Sequence, residues 1–106
     1  MVSQFDVYWV DLNPTIGAEM QKTRPCVVVS PQELNDHLDT VIIVPITSAI
    51  HGYPYRISCH IMGRDGEIAT DQIRTIDKRR LKKRITMLSD DEIVALQDIL
   101  RQMFCE

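Results

Sequence analysis

Short apolar runs alternate with polar segments from the start of the chain as far as Leu88. The runs are rich in β-branched and aromatic residues, which is typical of β-strands. Phe5–Val10 and Val41–Ile46 are apolar on both faces, which indicates strands that are buried on both sides. The pattern predicts strands at Phe5–Val10, Cys26–Ser30, Val41–Ile46, Tyr55–His60, Glu67–Asp71, Ile73–Ile76 and Arg84–Leu88.

The spacing of apolar residues changes after Leu88. From there they recur at the intervals of one helix face, and Ser89 followed by Glu92 predicts a capping box at the helix start. A second, short helix is predicted after Ser30, which we interpret as its N-cap. The members of the C-terminal apolar face are Ile93, Leu96, Ile99, Leu100, Met103 and Phe104. Several short strands and one terminal amphipathic helix predict a small, barrel-like, mainly β domain that comprises residues 1–106.

Turn residues divide the predicted strands. Asn13-Pro14 ends the first strand, and residues 13–23 form a loop that is longer than most connections in so small a domain. Arg64-Asp65-Gly66 predicts a hairpin turn, Gly52-Tyr53-Pro54 predicts another turn, and Asp71-Gln72 predicts a break between two strands. Long loops in small domains are often functional, so the 13–23 loop is a candidate part of a site.

Composition narrows the functional classes. The chain has no apolar stretch near the roughly 18 residues of a membrane span and no start typical of a signal peptide. Three cysteines without a C-x-x-C pair argue against disulfides and thiolate metal sites, and predict that Cys26 and Cys59 pack inside the protein in a reducing compartment. The histidines show no metal-ligand spacing, so neither a metal nor another cofactor is predicted.

The net charge of −3 speaks against a nucleic-acid partner, but the distribution of charge changes that view. A basic band holds seven of the twelve Lys and Arg residues, with Asp77 as its single acid. Such a band predicts a local anion-binding face, and an inert solvated face is the alternative. The band consists of Arg74, Lys78, Arg79, Arg80, Lys82, Lys83 and Arg84.

Arg24 is the first candidate for chemistry. It directly precedes Pro25 and the predicted strand Cys26–Ser30, and a residue before proline is restricted to extended geometry. A guanidinium fixed at a strand entrance is suited to a phosphate group, although on local grounds alone a surface ion pair is the favoured explanation. Thr47 and Asp71 also lie at strand ends, where the first can donate to a phosphate oxygen and the second can accept a ribose proton. The alternatives are that Thr47-Ser48 forms a turn and that Asp71 pairs with Arg74.

Four segments in order along the chain resemble the MazF/PemK toxins of bacterial toxin–antitoxin pairs. They are Trp9–Glu19, Thr23–Pro31, Val44–Ser48 and Thr70–Asp77. The resemblance implies an SH3-like barrel of the CcdB/PemK type that forms a homodimer in the bacterial cytoplasm. It also implies a metal-independent endoribonuclease that cuts single-stranded RNA or mRNA at short sequences and so inhibits translation and growth. The implied products are a 2′,3′-cyclic phosphate and a 5′-hydroxyl, and the implied partner is an antitoxin whose flexible segment fills the RNA groove.

The family's catalytic Arg and Thr fall on Arg24 and Thr47, and its Asp falls on Asp71. The PemK branch has an Arg two residues before this Asp, whereas this chain has Ala69 there. Because a guanidinium holds its proton tightly, we expect Arg24 chiefly to stabilise charge, and delivery of a proton to the leaving oxygen is the alternative role. The expected RNA-binding residues are Thr23, Ser48, Gln72, Arg74, Lys78, Arg79, Arg80, Lys82 and Lys83.

Two other functions fit a chain of this kind. Toxins that resemble CcdB poison DNA gyrase and cleave nothing, and they need no Arg at a strand entrance. A plain SH3-like module would bind RNA or a peptide in a salt-sensitive way without turnover.

Overall fold

The computed structural model describes residues 1–105. Seven strands form one strongly curled sheet, and two α-helices and two 3₁₀ turns lie between or after them. The strands are β1 (Asp6–Asp11), β2 (Thr23–Val28), β3 (Thr40–Thr47), β4 (Ile57–Ile61), β5 (Arg64–Ile68), β6 (Arg74–Asp77) and β7 (Leu81–Met87). The helices are α1 (Gln32–His37) and α2 (Asp90–Phe104), and the 3₁₀ turns are Thr70–Gln72 and Lys78–Arg80.

Strand β3 is the centre of the sheet. Its one edge pairs with β2, and its other edge pairs first with β6 and then, at Ile46 and Thr47, with β5. The sheet order is β4-β5-β3-β2-β1-β7, and every paired neighbour is antiparallel. This curled, mostly β architecture with a C-terminal helix confirms the predicted fold class.

Both faces of β3 are buried, as its apolar pattern predicted, and so are both faces of β2 over Cys26–Val28. Val27 and Val44 belong to a core under α2, whereas Cys26 and Ile43 belong to a second core on the opposite face. Leu96 of α2 is fully buried in the first core and holds the helix on the sheet.

The capping box at the start of α2 is confirmed. The backbone N–H of Glu92 donates to the Ser89 hydroxyl at 3.2 Å, and the backbone N–H of Ser89 donates to the Glu92 carboxylate at 3.0 Å. The predicted cap of α1 is wrong, since Pro31 occupies the N-cap position and no side chain caps the helix. The Ser30 hydroxyl instead bonds Asn35 and accepts from the backbone N–H of Ile42 at 3.2 Å. The hydroxyl that would cap α1 therefore binds β3.

The predicted hairpin turn is displaced. Met62 and Gly63 make the turn between β4 and β5, with φ values of 52° and 73°, and the predicted turn 64–66 lies inside β5. Left-handed geometry at both central residues gives a tight turn whose twist matches the flanking strands. Gly66 has a different reason to be glycine, because a β-carbon there would lie 2.7 Å from the backbone oxygen of Thr47.

Other strand boundaries also differ from the sequence expectation. Strand β7 begins at Leu81, three residues earlier than predicted, and β4 begins at Ile57 instead of Tyr55. The predicted break at Asp71-Gln72 is confirmed as the 3₁₀ turn Thr70–Gln72.

Candidate functional site

Arg24 and Thr47 lie in one groove of about 620 Å³. The groove is bounded by the start of β2, the end of β3 and the β4–β5 hairpin, and Thr23 and Ser48 also line it. The structure thus brings together four of the residues that the sequence assigned to catalysis or RNA binding. It adds two cations that the sequence interpretation missed, Lys22 and Arg64.

The sequence predicted that Arg24 precedes the second strand. In the structure Arg24 lies within β2. It lies opposite Val10 of β1, and Pro25 lies opposite Trp9. Because the residue before proline favours extended geometry, Arg24 and Pro25 continue the strand instead of introducing it. The guanidinium is therefore fixed to the sheet through the backbone on which it stands.

The guanidinium of Arg24 has only one partner among residues 1–105. Its Nε donates to the backbone oxygen of Gln21 at 2.9 Å, and no carboxylate of the described chain lies within ion-pair distance. The surface ion pair that competed with the functional interpretation is therefore not formed with any carboxylate of residues 1–105. The two terminal nitrogens remain for an anion in the groove.

Thr47 is 5% exposed and ends β3 opposite Glu67 of β5. Its hydroxyl oxygen accepts from the backbone N–H of Ala49 at 3.1 Å, so it does contribute to the turn that the alternative interpretation proposed. Accepting that bond leaves the hydroxyl proton available for a ligand. Thr47 can therefore shape the turn and still donate into the groove.

The thiol beside Arg24 is not a nucleophile. Cys26 is fully buried, and burial raises its pKa to about 12. Burial likewise raises the pKa of Cys59 to about 12, and both cysteines are free thiols. The packing role predicted for these two residues is confirmed.

Asp71 does not line the groove of Arg24 and Thr47. Its carboxylate accepts from Nε and a terminal nitrogen of Arg56 at 3.0 and 3.2 Å, and this bonding lowers the pKa of Asp71. Asp71 lies with Gln72 and Arg74 in a separate depression of about 260 Å³. The alternative interpretation, in which Asp71 pairs with Arg74, is wrong, since Arg74 donates to the backbone oxygen of Leu12 instead.

Arg56 was missed by the sequence interpretation. In the PemK branch an Arg two residues before the Asp accompanies it, and this chain has Ala69 at that position. Here Arg56, fifteen residues before Asp71, places a guanidinium beside the Asp71 carboxylate. Its side chain is 8% exposed, and a third nitrogen lies 3.8 Å from Glu67. No motif marks such a partner, because only the folded sheet brings the start of β4 next to the 3₁₀ turn.

Most of the basic band contacts the chain itself. Lys78 donates to the backbone oxygen of Asn35, Arg79 pairs with Asp77 at 3.0 Å, and Arg84 pairs with Asp6 at 3.1 Å. Lys82 and Lys83 are exposed, and no residue of the band lines the groove. That the band contacts RNA stays a prediction. The cations that line the groove itself are Lys22, Arg24 and Arg64.

Three residues predicted to bind RNA fasten the long loop that leads to Arg24. Arg74 donates to the backbone oxygen of Leu12 at 3.1 Å, and Arg80 donates to those of Asp11 and Asn13. The side chain of Gln72 accepts from the backbone N–H of Met20 at 3.2 Å. The loop is thus held at both ends, which fixes the approach to β2.

Residues 1–105 contain no cluster of three or more His, Cys, Asp or Glu side chains that fits a metal ion. Over the same span, no helix combines the length and apolar character needed to cross a membrane.

Comparison with known proteins identifies relatives along nearly the whole chain. Residues 3–104 match the sequence model of the family described as PemK-like, MazF-like toxin of type II toxin-antitoxin system. The chain is 33% identical to an endoribonuclease MazF of Staphylococcus epidermidis, over 94% of this chain and 88% of that protein.

Solved structures share the fold. A crystal structure of MazF from Deinococcus radiodurans superposes with a TM-score of 0.87 at 23% identity, covering 99% of this chain and 97% of that one. A mycobacterial endoribonuclease in complex with its cognate antitoxin superposes with a TM-score of 0.81 at 19% identity, covering 96% and 93% of the two chains.

Proposed function

The chain belongs to the PemK-like, MazF-like toxin family of type II toxin–antitoxin systems, and from this premise we propose that it is a metal-independent endoribonuclease. Its substrate is single-stranded RNA, in particular mRNA in the bacterial cytoplasm, which it cuts at short sequences to inhibit translation and growth. The observation that carries this proposal is that Arg24 and Thr47 line one groove, and that the guanidinium of Arg24 has no carboxylate partner among residues 1–105.

Arg24 and Thr47 supply what cleavage by an internal nucleophile requires. The 2′-hydroxyl loses its proton to solvent water as its oxygen attacks the neighbouring phosphorus, and the bond to the 5′-oxygen breaks. The 5′-oxygen takes up a proton from water, so the products are a 2′,3′-cyclic phosphate and a 5′-hydroxyl. Negative charge grows on the phosphate oxygens during this step. A fixed guanidinium stabilises that charge, and the Thr47 proton donates to a phosphate oxygen.

Asp71 takes part through Arg56 in this scheme. The sequence predicted that it accepts the ribose proton, but its carboxylate lies outside the groove and its pKa is lowered by Arg56, which makes it a weaker base. We therefore assign it a positioning role. The RNA backbone meets Lys22, Thr23, Ser48 and Arg64 at the groove, and Lys82 and Lys83 contribute charge from outside it.

We expect the purified protein to cut a long single-stranded RNA into discrete fragments in the presence of EDTA, because Arg24 and Thr47 perform the roles for which other nucleases use metal ions. Mapping the fragment ends measures activity and cleavage sequence together. Cleavage only after addition of a divalent metal would contradict the proposal. A parallel supercoiling assay should show no effect on DNA gyrase, since the gyrase-poisoning alternative is not favoured by the matched relatives.

We propose an antitoxin partner and a homodimer. The mycobacterial relative in complex with its antitoxin supports the first, and the exposed Met62, Met87 and Phe104, at 55%, 48% and 65%, are suited to a protein interface. Light scattering should give twice the 12.2 kDa mass of the chain.

An acidic antitoxin peptide should compete with RNA for the groove, because phosphates and carboxylates seek the same cations. Replacing Lys22 and Arg64 by alanine is expected to weaken both ligands about tenfold, measured by fluorescence anisotropy. The matched double variant of Lys82 and Lys83 should weaken them less, since these side chains lie outside the groove. Equal effects of the two double variants would contradict the assignment of binding to the groove and would show that the basic band contributes as much.

A further inference from the structure

The loop 48–56 between β3 and β4 displays a series of stacked planar groups. The rings of His51 and Tyr53 stack with centroids 4.8 Å apart and planes inclined by 16°. The guanidinium carbon of Arg56 lies 4.8 Å from the centroid of Tyr53. His51 is exposed and Tyr53 is 53% exposed, so the series runs from a buried cation to an aromatic surface in solvent.

The carboxylates of β5 and the following turn hold this loop in place. Glu67 accepts from the backbone N–H groups of His51 and Gly52 at 3.2 and 2.9 Å, and these bonds lower its pKa, so it stays ionised. Asp71 binds Arg56 through two hydrogen bonds, which raise the pKa of that guanidinium. Because the loop is fixed before any ligand arrives, a ligand that stacks on it loses little free energy to ordering.

The loop that carries the stack begins at the groove of Arg24 and Thr47. Glu67, which binds the loop backbone, is the direct strand partner of Thr47. Ser48 lines the groove and stands three residues before His51, a span of at most about 11 Å in an extended chain. An RNA strand whose phosphate lies at Arg24 therefore passes close to the aromatic surface.

We propose that His51 and Tyr53 form a stacking platform for an unpaired RNA base next to the scissile phosphate. This inference rests on the proposed endoribonuclease function and adds to it a residue pair that binds a base. The occupant is a base and not a phosphate, because two carboxylates face a single guanidinium at the foot of the stack and repel an anion. Every base has a flat face that stacks on aromatic rings, which is how proteins hold unpaired RNA.

The test uses a single-stranded oligonucleotide that carries the mapped cleavage sequence, with a 2′-deoxy sugar at the cleavage position so that attack is prevented. The fluorescent base 2-aminopurine is placed at each position in turn. We expect quenching at one position near the cut with the wild type and with Tyr53→Phe. The quenching should be lost with His51→Leu, which removes the outer ring, and with Tyr53→Leu, which removes the ring beneath it. With cleavable RNA, Tyr53→Leu should raise KM about tenfold at unchanged kcat, because stacking contributes about 1–3 kcal/mol per base.

Tyr55→Leu is the matched control. Tyr55 lies in the same loop and is 47% exposed, but it takes no part in the stack. Normal cleavage with equal KM values for Tyr53→Leu and Tyr55→Leu would overturn the platform. A protein that cuts no RNA has no mapped sequence, so its scan uses a mixed-sequence oligonucleotide. Quenching there that is lost with Tyr53→Leu would support the platform and overturn the proposed activity.

Discussion

Arg24→Ala is expected to lower the rate of RNA cleavage about a thousandfold. The two terminal nitrogens of Arg24 are free within the described chain and lie in the groove, so they meet the phosphate as its charge increases. Removal of one such donor costs about a hundred- to a thousandfold in rate, and loss of a full charge adds to this. The rate is measured under single-turnover conditions on an RNA with one mapped cleavage site.

The fold should survive this substitution, because within residues 1–105 the Arg24 side chain makes a single hydrogen bond, to the backbone oxygen of Gln21. Thermal unfolding of the variant is the control for stability. Asp71→Asn is the informative comparison and should lower the rate only about tenfold, since Asp71 acts through Arg56 in our scheme. If Arg24→Ala retained the wild-type rate, or Asp71→Asn lost as much activity as Arg24→Ala, the assigned roles would be wrong.

Gly66→Ala is expected to reduce cleavage about a hundredfold without unfolding the protein. The added β-carbon would lie 2.7 Å from the backbone oxygen of Thr47, and backbone atoms cannot move aside as a flexible side chain does. Strands β3 and β5 must therefore separate where Thr47 faces Glu67, which shifts the Thr47 hydroxyl. A displacement of about 1 Å in a reacting group can reduce the rate a hundredfold, and overpacking costs about 1–3 kcal/mol of stability.

Gly63→Asn is the matched control for this substitution. Gly63 has a φ of 73°, which asparagine tolerates better than other residues, and a β-carbon there meets nothing within 4 Å. The control should keep the wild-type cleavage rate. Gly66→Ala with full activity would show that the spacing of β3 and β5 does not set the position of Thr47.

The sequence predicted what is local in this molecule. Strands that are buried on both sides, such as β3, have continuous apolar runs in the sequence. The capping box of α2 depends only on Ser89 and Glu92. Arg24 was recognised because a proline and an apolar run follow it directly. Its exact place was missed, since nothing local says that β1 is long enough to pair with Thr23 and Arg24.

Contacts between distant segments could not be predicted. Ser30 is a good N-cap by type, but β3 passes close enough to use its hydroxyl. Arg56 and Asp71 are joined only after β4 and β5 form a hairpin, whose turn at Met62-Gly63 carries a weaker signal than the Asp65-Gly66 pair that follows it. The basic band is close in sequence, yet its side chains extend in different directions, and the backbone oxygens that Arg74 and Arg80 bind lie more than sixty positions away.

The fastening of the long loop by Gln72, Arg74 and Arg80 bears on how genetic selections for survivors of this toxin are interpreted. Cells that escape a growth inhibitor carry substitutions that inactivate it, and such positions are commonly taken to outline the surface that meets the target. Here survivors should include changes at Arg74 and Arg80, whose guanidinium groups bind the backbone of residues 11–13. A map of escape substitutions should thus include residues that hold the long loop in place as well as residues that line the groove.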